Sequence, residues 1–562
     1  MCHISTTGNK RMKIIIIGGG PGGLSAAVRA RRLSENAEII VFEKGQYVSY
    51  ANCGLPYHIG GVIPSRESLI LKTPEYFMNR FKIDIRISQE ITSIDPINKT
   101  VTVHKITTDE VYLEKWDRLL LSTGASPVIP PLPGLDTPGV FSLRNITDMD
   151  SILGWIEQHK VTHATIVGGG FIGLEVMEAL RNKEIKVTVV EMGEQVMSSV
   201  DPEMVSPLHK EIRNHGVDLR LKTALKQISK TETGLCAELS DRTFLSTDMV
   251  ILAIGVKPEN KLAVEAGVLH GETGGIKVNS LMQTSVPDIY AVGDTVETND
   301  IVFSSPCIVP LAGPVNRQGR IAADNMLGGQ HFYLGTQGTS ICKAFSLSIA
   351  SCGVNEKQLK TRNIRYEKIY VHATDHATYY PDSTIISLKL LFSPDTGKIF
   401  GAQISGQKGI DKRIDILSVA QRAGLSVEEL ADLELAYAPP FNSARDIINQ
   451  AGMVAENVIN GHTAICHVNN VLQEGADRYC LVDIRSPDEI KRCGEYPGAL
   501  CIPLDSLRSN IDNLPKNKEI VIGCQSGLRG HIAYRILQAY GFKVYNLSGG
   551  FLTWQSVMET LC

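Results

Sequence analysis

The chain has no pair of cysteines spaced CxxC, although twelve cysteines are scattered irregularly through its 562 residues. That absence excludes a thioredoxin-type dithiol and the common zinc frameworks, and such sparse cysteines argue against a disulfide scaffold and for a reducing compartment. No apolar run approaches the ~18 to 20 residues of a membrane span, so the chain is not expected to cross a bilayer. No sign of charge predominates either: 56 Lys and Arg face 60 Asp and Glu, a net charge of −4. There is accordingly no global positive field to hold a nucleic acid or an anionic membrane. The opening residues, MCHISTTGNKRMK, lack the apolar core and small-residue cleavage site of a signal peptide, and a cytoplasmic location is expected. No low-complexity tract and no metal-ligand spacing is found, and no metal is expected.

What is present is the balance of a folded protein, with 43% hydrophobic and 21% charged residues and a mean hydropathy of −0.01. At ~150 residues per domain the length suggests roughly four domains. Two short runs, KIIII at 13–17 and ATIV at 164–167, are each followed at once by glycines and a helical apolar pattern. In the first, Gly18, Gly20, Gly22 and Gly23 satisfy GxGxxG, and Glu43, with Lys44 beside it, ends the next strand. In the second, Gly168, Gly170 and Gly173 repeat the pattern and Glu191 ends VTVVE. Such glycines let the backbone approach a pyrophosphate at a helix N-terminus, while the acid accepts from ribose hydroxyls. Two dinucleotide sites are therefore expected. Glu191 would repel a 2′-phosphate and no arginine follows it closely, which favours NADH, with NADPH as second choice. Thr123 with Gly124, and Asp294 at the end of IYAVGD, fit a flavin site in which the aspartate holds the ribityl chain. Val250–Gly255 and Asp288–Asp294 read as strands returning to the first domain, and Pro127–Pro138 as a turn outside any sheet.

Over about residues 12 to 455 this order of motifs resembles the flavoprotein disulfide reductases with two dinucleotide-binding domains, which implies FAD at the first site and NAD at the second. Common members of that family carry a CxxxxC pair beside the flavin. Here residues 49–57 read SYANCGLPY, and Cys53 stands alone. A lone cysteine is oxidised to a mixed disulfide, a persulfide or a sulfenic acid. YANCGLPY closely resembles the coenzyme A-disulfide reductases. The resemblance implies that Ser49 and Asn52 contact the CoA arm, that Ser25, Arg29 and Arg32 read its phosphates, and that Arg445 adds a further basic contact. The run Arg29, Arg31, Arg32 has a plainer alternative as a solvated helix face. Tyr379 in HATYYPDS and Tyr437 in ELAYAPPFNSARD are implied to come from the partner subunit of a homodimer and to hydrogen-bond the departing thiol or persulfide. The His-Glu pair of glutathione-type reductases is missing.

Near the end, LVDIRS at 481–486 and VIGCQSGLRG at 521–530 resemble a single rhodanese domain. Backbone N–H groups converging on Cys524 would let it carry a persulfide. Arg529 would complement an anionic donor, Asp483 and Arg485 would be supports, and Cys493 and Cys501 bystanders. The expected fold class is α/β: two Rossmann-like domains, an α+β dimerisation domain and a C-terminal α/β rhodanese domain. The expected boundaries are a disordered extension at 1–11, an FAD-binding domain in two parts at 12–150 and 276–335, an NAD-binding domain at 151–275, a dimerisation domain at 336–455, a linker at 456–469 and the rhodanese domain at 470–562. The implied activity is FAD-dependent, NADH-driven reduction of CoA persulfide, polysulfide or CoA disulfide at Cys53, coupled to sulfane-sulfur transfer from a donor through Cys524. Two alternatives stand beside it. One is an NADH oxidase or peroxidase with a cysteine sulfenic acid, the other a sulfur carrier or redox sensor without turnover.

Overall fold

The computed structural model describes residues 11–232 and 234–561, so most of the expected N-terminal extension lies outside the described residues. The chain divides into two compact units, one running up to Glu194 and resuming over Val217–Gly338, the other formed by Gln195–Gly216 together with the chain from Thr339 onward.

The first unit is built on two parallel five-stranded sheets. In one, Lys13–Ile17 lies at the centre, with Glu38–Glu43 and Asp84–Ile87 on one side and Arg118–Leu121 and Ile289–Ala291 on the other. The four isoleucines of the central strand are almost wholly buried, as a parallel strand covered on both faces requires. Helix Pro21–Leu33 follows the strand and packs on helix Ala312–Met326. A Cβ on Gly319 would stand 2.4 Å from the carbonyl oxygen of Gly22, so this helix crossing depends on glycine. In the other sheet His163–Val167 is central, between Lys186–Val190 and Met249–Leu252, with Asp218–Arg220 and Val140–Ser142 at the edges.

Several expectations are corrected here. Met249–Leu252 pairs with Ala164–Val167 in the second sheet and does not return to the first; only Ile289–Ala291 does. Both are short buried runs, and hydrophobicity does not state which parallel neighbour a strand will take. The second sheet reaches back to Val140–Ser142, ahead of the expected start at 151, and gives up 195–216 to the other unit. Pro127 ends a strand, Ala125–Pro127, paired antiparallel with Val256–Pro258; this two-stranded ribbon is all edge, where proline is tolerated.

The second unit contains an antiparallel five-stranded sheet in the order Ser340–Ala344, Leu347–Gly353, Ile399–Gly406, Ile385–Phe392, Glu367–Thr374, covered by helices Ile410–Ala423 and Ile447–Ile459. Helix Pro202–Asn214 belongs to this unit. A parallel sheet follows, ordered Ile465–Cys466, Val544–Leu547, Glu519–Gly523, Tyr479–Asp483, Leu500–Cys501. The expected linker at 456–469 is corrected as well. Helix Ile447–Ile459 occupies its start, and Ile465–Cys466 is already an edge strand of the last sheet. Among the described residues, no helix is long and apolar enough to cross a membrane.

Candidate active site

The two glycine turns of the first unit are built alike. Gly18 and Gly168 adopt φ of 108° and 111°, a region that suits glycine. A Cβ on Gly23 would lie 2.0 Å from Gly18 O, and one on Gly173 would lie 2.0 Å from Gly168 O, so each helix can start against its strand only without a side chain. In front of Gly20 and Gly170 the space is open, which leaves room for a phosphate at each helix N-terminus. The acids are wired identically. Glu43 accepts from Gly19 N (2.8 Å) and Gly45 N (2.7 Å), and Glu191 accepts from Gly169 N and Gly193 N, both at 2.7 Å. Each carboxylate oxygen keeps lone-pair capacity for a ribose hydroxyl. Lys44 is exposed.

After strand Arg118–Leu121, Gly124 has φ of 72° and Thr123 Oγ1 donates to Glu259 O at 2.6 Å. Asp294 Oδ1 is buried without a hydrogen-bond partner among the described residues, and burial pushes its carboxyl up. An orphaned buried acceptor of this kind, beside a glycine turn, fits the hydroxylated ribityl chain of a flavin. The donor and acceptor set therefore fits FAD at the first site and a nicotinamide dinucleotide at the second.

Cys53 lies on the short 3-10 turn Asn52–Gly54, directly before helix Leu55–Ile59, and is exposed. Its Sγ donates to Asn52 Oδ1 at 3.7 Å. Local desolvation pushes the thiol up, and the Glu175 and Asp294 carboxylates push it further, which puts Asp294 in the same neighbourhood. The protein's own groups thus favour thiol over thiolate here. Ser49, at φ of 50°, has its N–H on Gly19 O at 3.4 Å, tying the cysteine loop to the first glycine turn. Glu175, on helix Phe171–Asn182 behind the second glycine turn, was not singled out from the sequence. It accepts from Tyr57 Oη at 3.3 Å, and burial raises its carboxyl.

Arg29 and Arg32, expected to read CoA phosphates, and Arg31 between them have three different surroundings. Arg29 Nε is paired with Asp324 at 2.6 Å, so its charge is spent inside the protein. Arg31 is buried and donates to the carbonyls of Phe81, Lys82, Ser34 and Glu35. Arg32 alone is exposed. Ser25 Oγ donates to Asn316 O at 3.3 Å.

Tyr379, Tyr437 and Arg445 lie in the second unit and Cys53 in the first. The two tyrosines meet, Oη to Oη at 2.7 Å, and both are exposed; Arg445 is exposed too. Their loops are stitched together by the buried Arg413. It pairs with Asp446 at 2.9 Å and donates to Asp375 O and Asn442 Oδ1 at 2.7 and 3.0 Å. Asp446 also caps helix Ile447–Ile459, accepting from Ile448 N at 2.9 Å.

In the last sheet, Cys524 is buried at the start of a tight loop. Gly527 N and Gly530 N donate to its Sγ at 3.1 and 3.3 Å. Tyr496 Oη donates to Cys524 O at 2.9 Å, which fixes the loop from behind. Asp483 and Arg485 form a fully buried pair at 2.7 Å, a support as expected. Arg529 has a partner of its own. Its Nη1 and Nη2 donate to the two carboxylate oxygens of Glu489 at 2.8 and 2.6 Å, so its charge already has a partner. Glu489 is the third residue of helix Pro487–Cys493 and closes a capping box with Ser486.

Residues 12–313 match the pyridine nucleotide-disulphide oxidoreductase family, 339–447 its dimerisation domain and 468–557 the rhodanese-like domain. A coenzyme A disulfide reductase of Staphylococcus haemolyticus (strain JCSC1435) is 32% identical over 447 residues, 79% of this chain and all of that protein. The crystal structure of reduced Bacillus anthracis CoADR-RHD superposes with a TM-score of 0.95 at 45% identity, covering 98% of each chain. A NAD-dependent persulfide reductase from A. fulgidus gives 0.91 at 36% identity, covering 97% of this chain and 100% of that one.

Proposed function

The chain belongs to the pyridine nucleotide-disulphide oxidoreductase family, and from that premise we propose that it is a homodimeric FAD enzyme that uses NADH to reduce the S–S bond of a CoA persulfide, polysulfide or disulfide. The observation that carries this reading is the lone Cys53 on a loop tied to the first glycine turn, in a chain that ends in a persulfide-type loop around Cys524. Likeness to a coenzyme A disulfide reductase and to a NAD-dependent persulfide reductase supports the substrate class. Bound FAD would supply two-electron exchange between nicotinamide and sulfur, held by Glu43, the Gly18–Gly23 turn and Asp294.

The protein's own residues then divide the work. Cys53, deprotonated, attacks the CoA-bound sulfur of CoA–S–SH; a Cys53–S–S–CoA bond forms, the substrate S–S bond breaks and hydrosulfide leaves. Two electrons and two protons restore the two thiols. Asn52 accepts from the Cys53 thiol and orients it. The hydrogen-bonded pair Tyr379–Tyr437 would offer a proton to the departing sulfur from the partner subunit. Arg32 and Arg445 remain exposed for phosphates. Cys524 would hold sulfane sulfur as a persulfide on its two amide donors.

Cys53→Ser tests this reading. NADH-driven sulfide and CoA release should fall by about 10³-fold or more, while FAD stays bound at full occupancy, because a nucleophile and not the fold is removed. Turnover at the unsubstituted rate would overturn it.

A further inference from the structure

The loop that holds Cys524 reads Cys524-Gln525-Ser526-Gly527-Leu528-Arg529-Gly530, and Arg529 is its only lysine or arginine. That cation is paired through both terminal nitrogens with Glu489. Glu489 cannot easily turn away. Its Oε2 also accepts from Ser486 N at 3.0 Å, and its N–H lies on Ser486 Oγ at 3.2 Å, closing the capping box of helix Pro487–Cys493. The Arg529 guanidinium holds the Glu489 carboxyl down at about 2, so it stays ionised at any physiological pH. The next cation, Arg485, reaches Gln525 Oε1 at 3.3 Å but is spent on Asp483. Two apolar side chains stand beside the loop: Leu528 is 68% exposed, and Ile532, one turn along the helix, 45%.

We propose that Cys524 is loaded by thiol persulfides and discriminates against thiosulfate, because Glu489 neutralises the cation that a sulfonate would need. This rests on the reading of Cys524 as a sulfur carrier. Thiosulfate is a dianion whose sulfonate end calls for unpaired cations beside the thiol. A persulfide presents a slender terminal sulfur on a carbon chain, which suits a buried thiol beside exposed Leu528 and Ile532. In the transfer the Cys524 thiolate attacks the terminal sulfur of R–S–SH and the donor S–S bond breaks. The terminal sulfur stays on Cys524 with its proton as Cys524–S–SH, and R–S⁻ leaves; no external oxidant or reductant enters.

The experiment uses the full chain carrying Cys53→Ser, incubated with glutathione persulfide or with thiosulfate, with the added sulfur located on the Cys524 peptide by mass spectrometry. Loading from glutathione persulfide should be faster by about tenfold or more, the effect of roughly one lost charge contact. Adding Glu489→Gln, which keeps the helix cap, should raise the thiosulfate rate severalfold and leave the persulfide rate within about twofold. Equal loading by the two donors, or a thiosulfate rate untouched by Glu489→Gln, would overturn the selectivity and leave the carrier reading standing. No sulfur on Cys524 from either donor would overturn both.

Discussion

At Cys53 the sulfur is a donor, to Asn52 Oδ1; at Cys524 it is an acceptor of two backbone amides. The second arrangement accommodates an anionic or persulfide sulfur without help, whereas Cys53 sits among carboxylates that oppose its ionisation. Glu175 is the more tractable of these, because it lies on another helix and is not itself part of the cysteine loop. Its carboxyl is raised by burial yet is still ionised at the higher pH where a raised thiol titrates. Removing that negative charge must therefore lower the thiol's titration midpoint, not raise it. In Glu175→Gln, the pH profile of Cys53 alkylation by iodoacetamide should move toward lower pH, with a faster rate at pH 8. A profile unchanged or displaced upward would show that Glu175 does not act on this sulfur.

Helix Leu55–Ile59, which carries the chain away from Cys53, packs against helix Phe171–Asn182 of the second glycine motif. The contact closes at Gly60, where a Cβ would stand 2.9 Å from Ala179 Cα. Gly60 has an ordinary right-handed conformation, φ of −76°, so the constraint is one of space and not of backbone strain. Gly60→Ala should cost about 1–3 kcal/mol of stability in thermal unfolding and should alter both kcat and the KM for NADH, since it moves two site helices apart. An unchanged KM would mean that the two helices adjust independently. Much of this framework was legible in the residues. The isoleucine run, both glycine motifs and both terminal acids stand where strand, turn and helix periodicity put them, because those signals are local. Signals between distant segments were not legible. Nothing near Met249 says that it pairs with Ala164, nothing near Arg29 announces Asp324, and Arg529 reads as a free cation until Glu489 is seen beside it. Choices of partner are made in three dimensions, and identical short patterns serve several of them.

On the scale of the whole molecule, the second unit is knitted together where a tether was expected. Within it, Tyr370 N donates to Ser548 Oγ at 3.3 Å, His372 Nε2 meets Thr553 Oγ1 at 2.8 Å and His467 Nε2 meets Glu367 at 3.0 Å. These contacts join the antiparallel sheet to the last sheet independently of the short connection at 460–464. Protease cleavage inside that connection should accordingly leave both fragments eluting as one species in gel filtration. Separation of a free C-terminal fragment would show that the connection alone holds the last sheet in place. The same unit also claims residues 195–216 from the middle of the second nucleotide-binding segment. Asp201, Glu203 and Glu356 converge there on the ammonium of Lys389, a side chain with no exposed surface, with Asp201 at 2.8 Å. That convergence bears on how such a protein can be recombined. A graft exchanging residues 151–275 as a cassette would carry off two of the three carboxylates and strand a sealed lysine with one, a defect expected to cost several kcal/mol. Exchanges that keep 195–216 with the C-terminal part would respect the charges, so the heritable block in this chain is discontinuous in sequence.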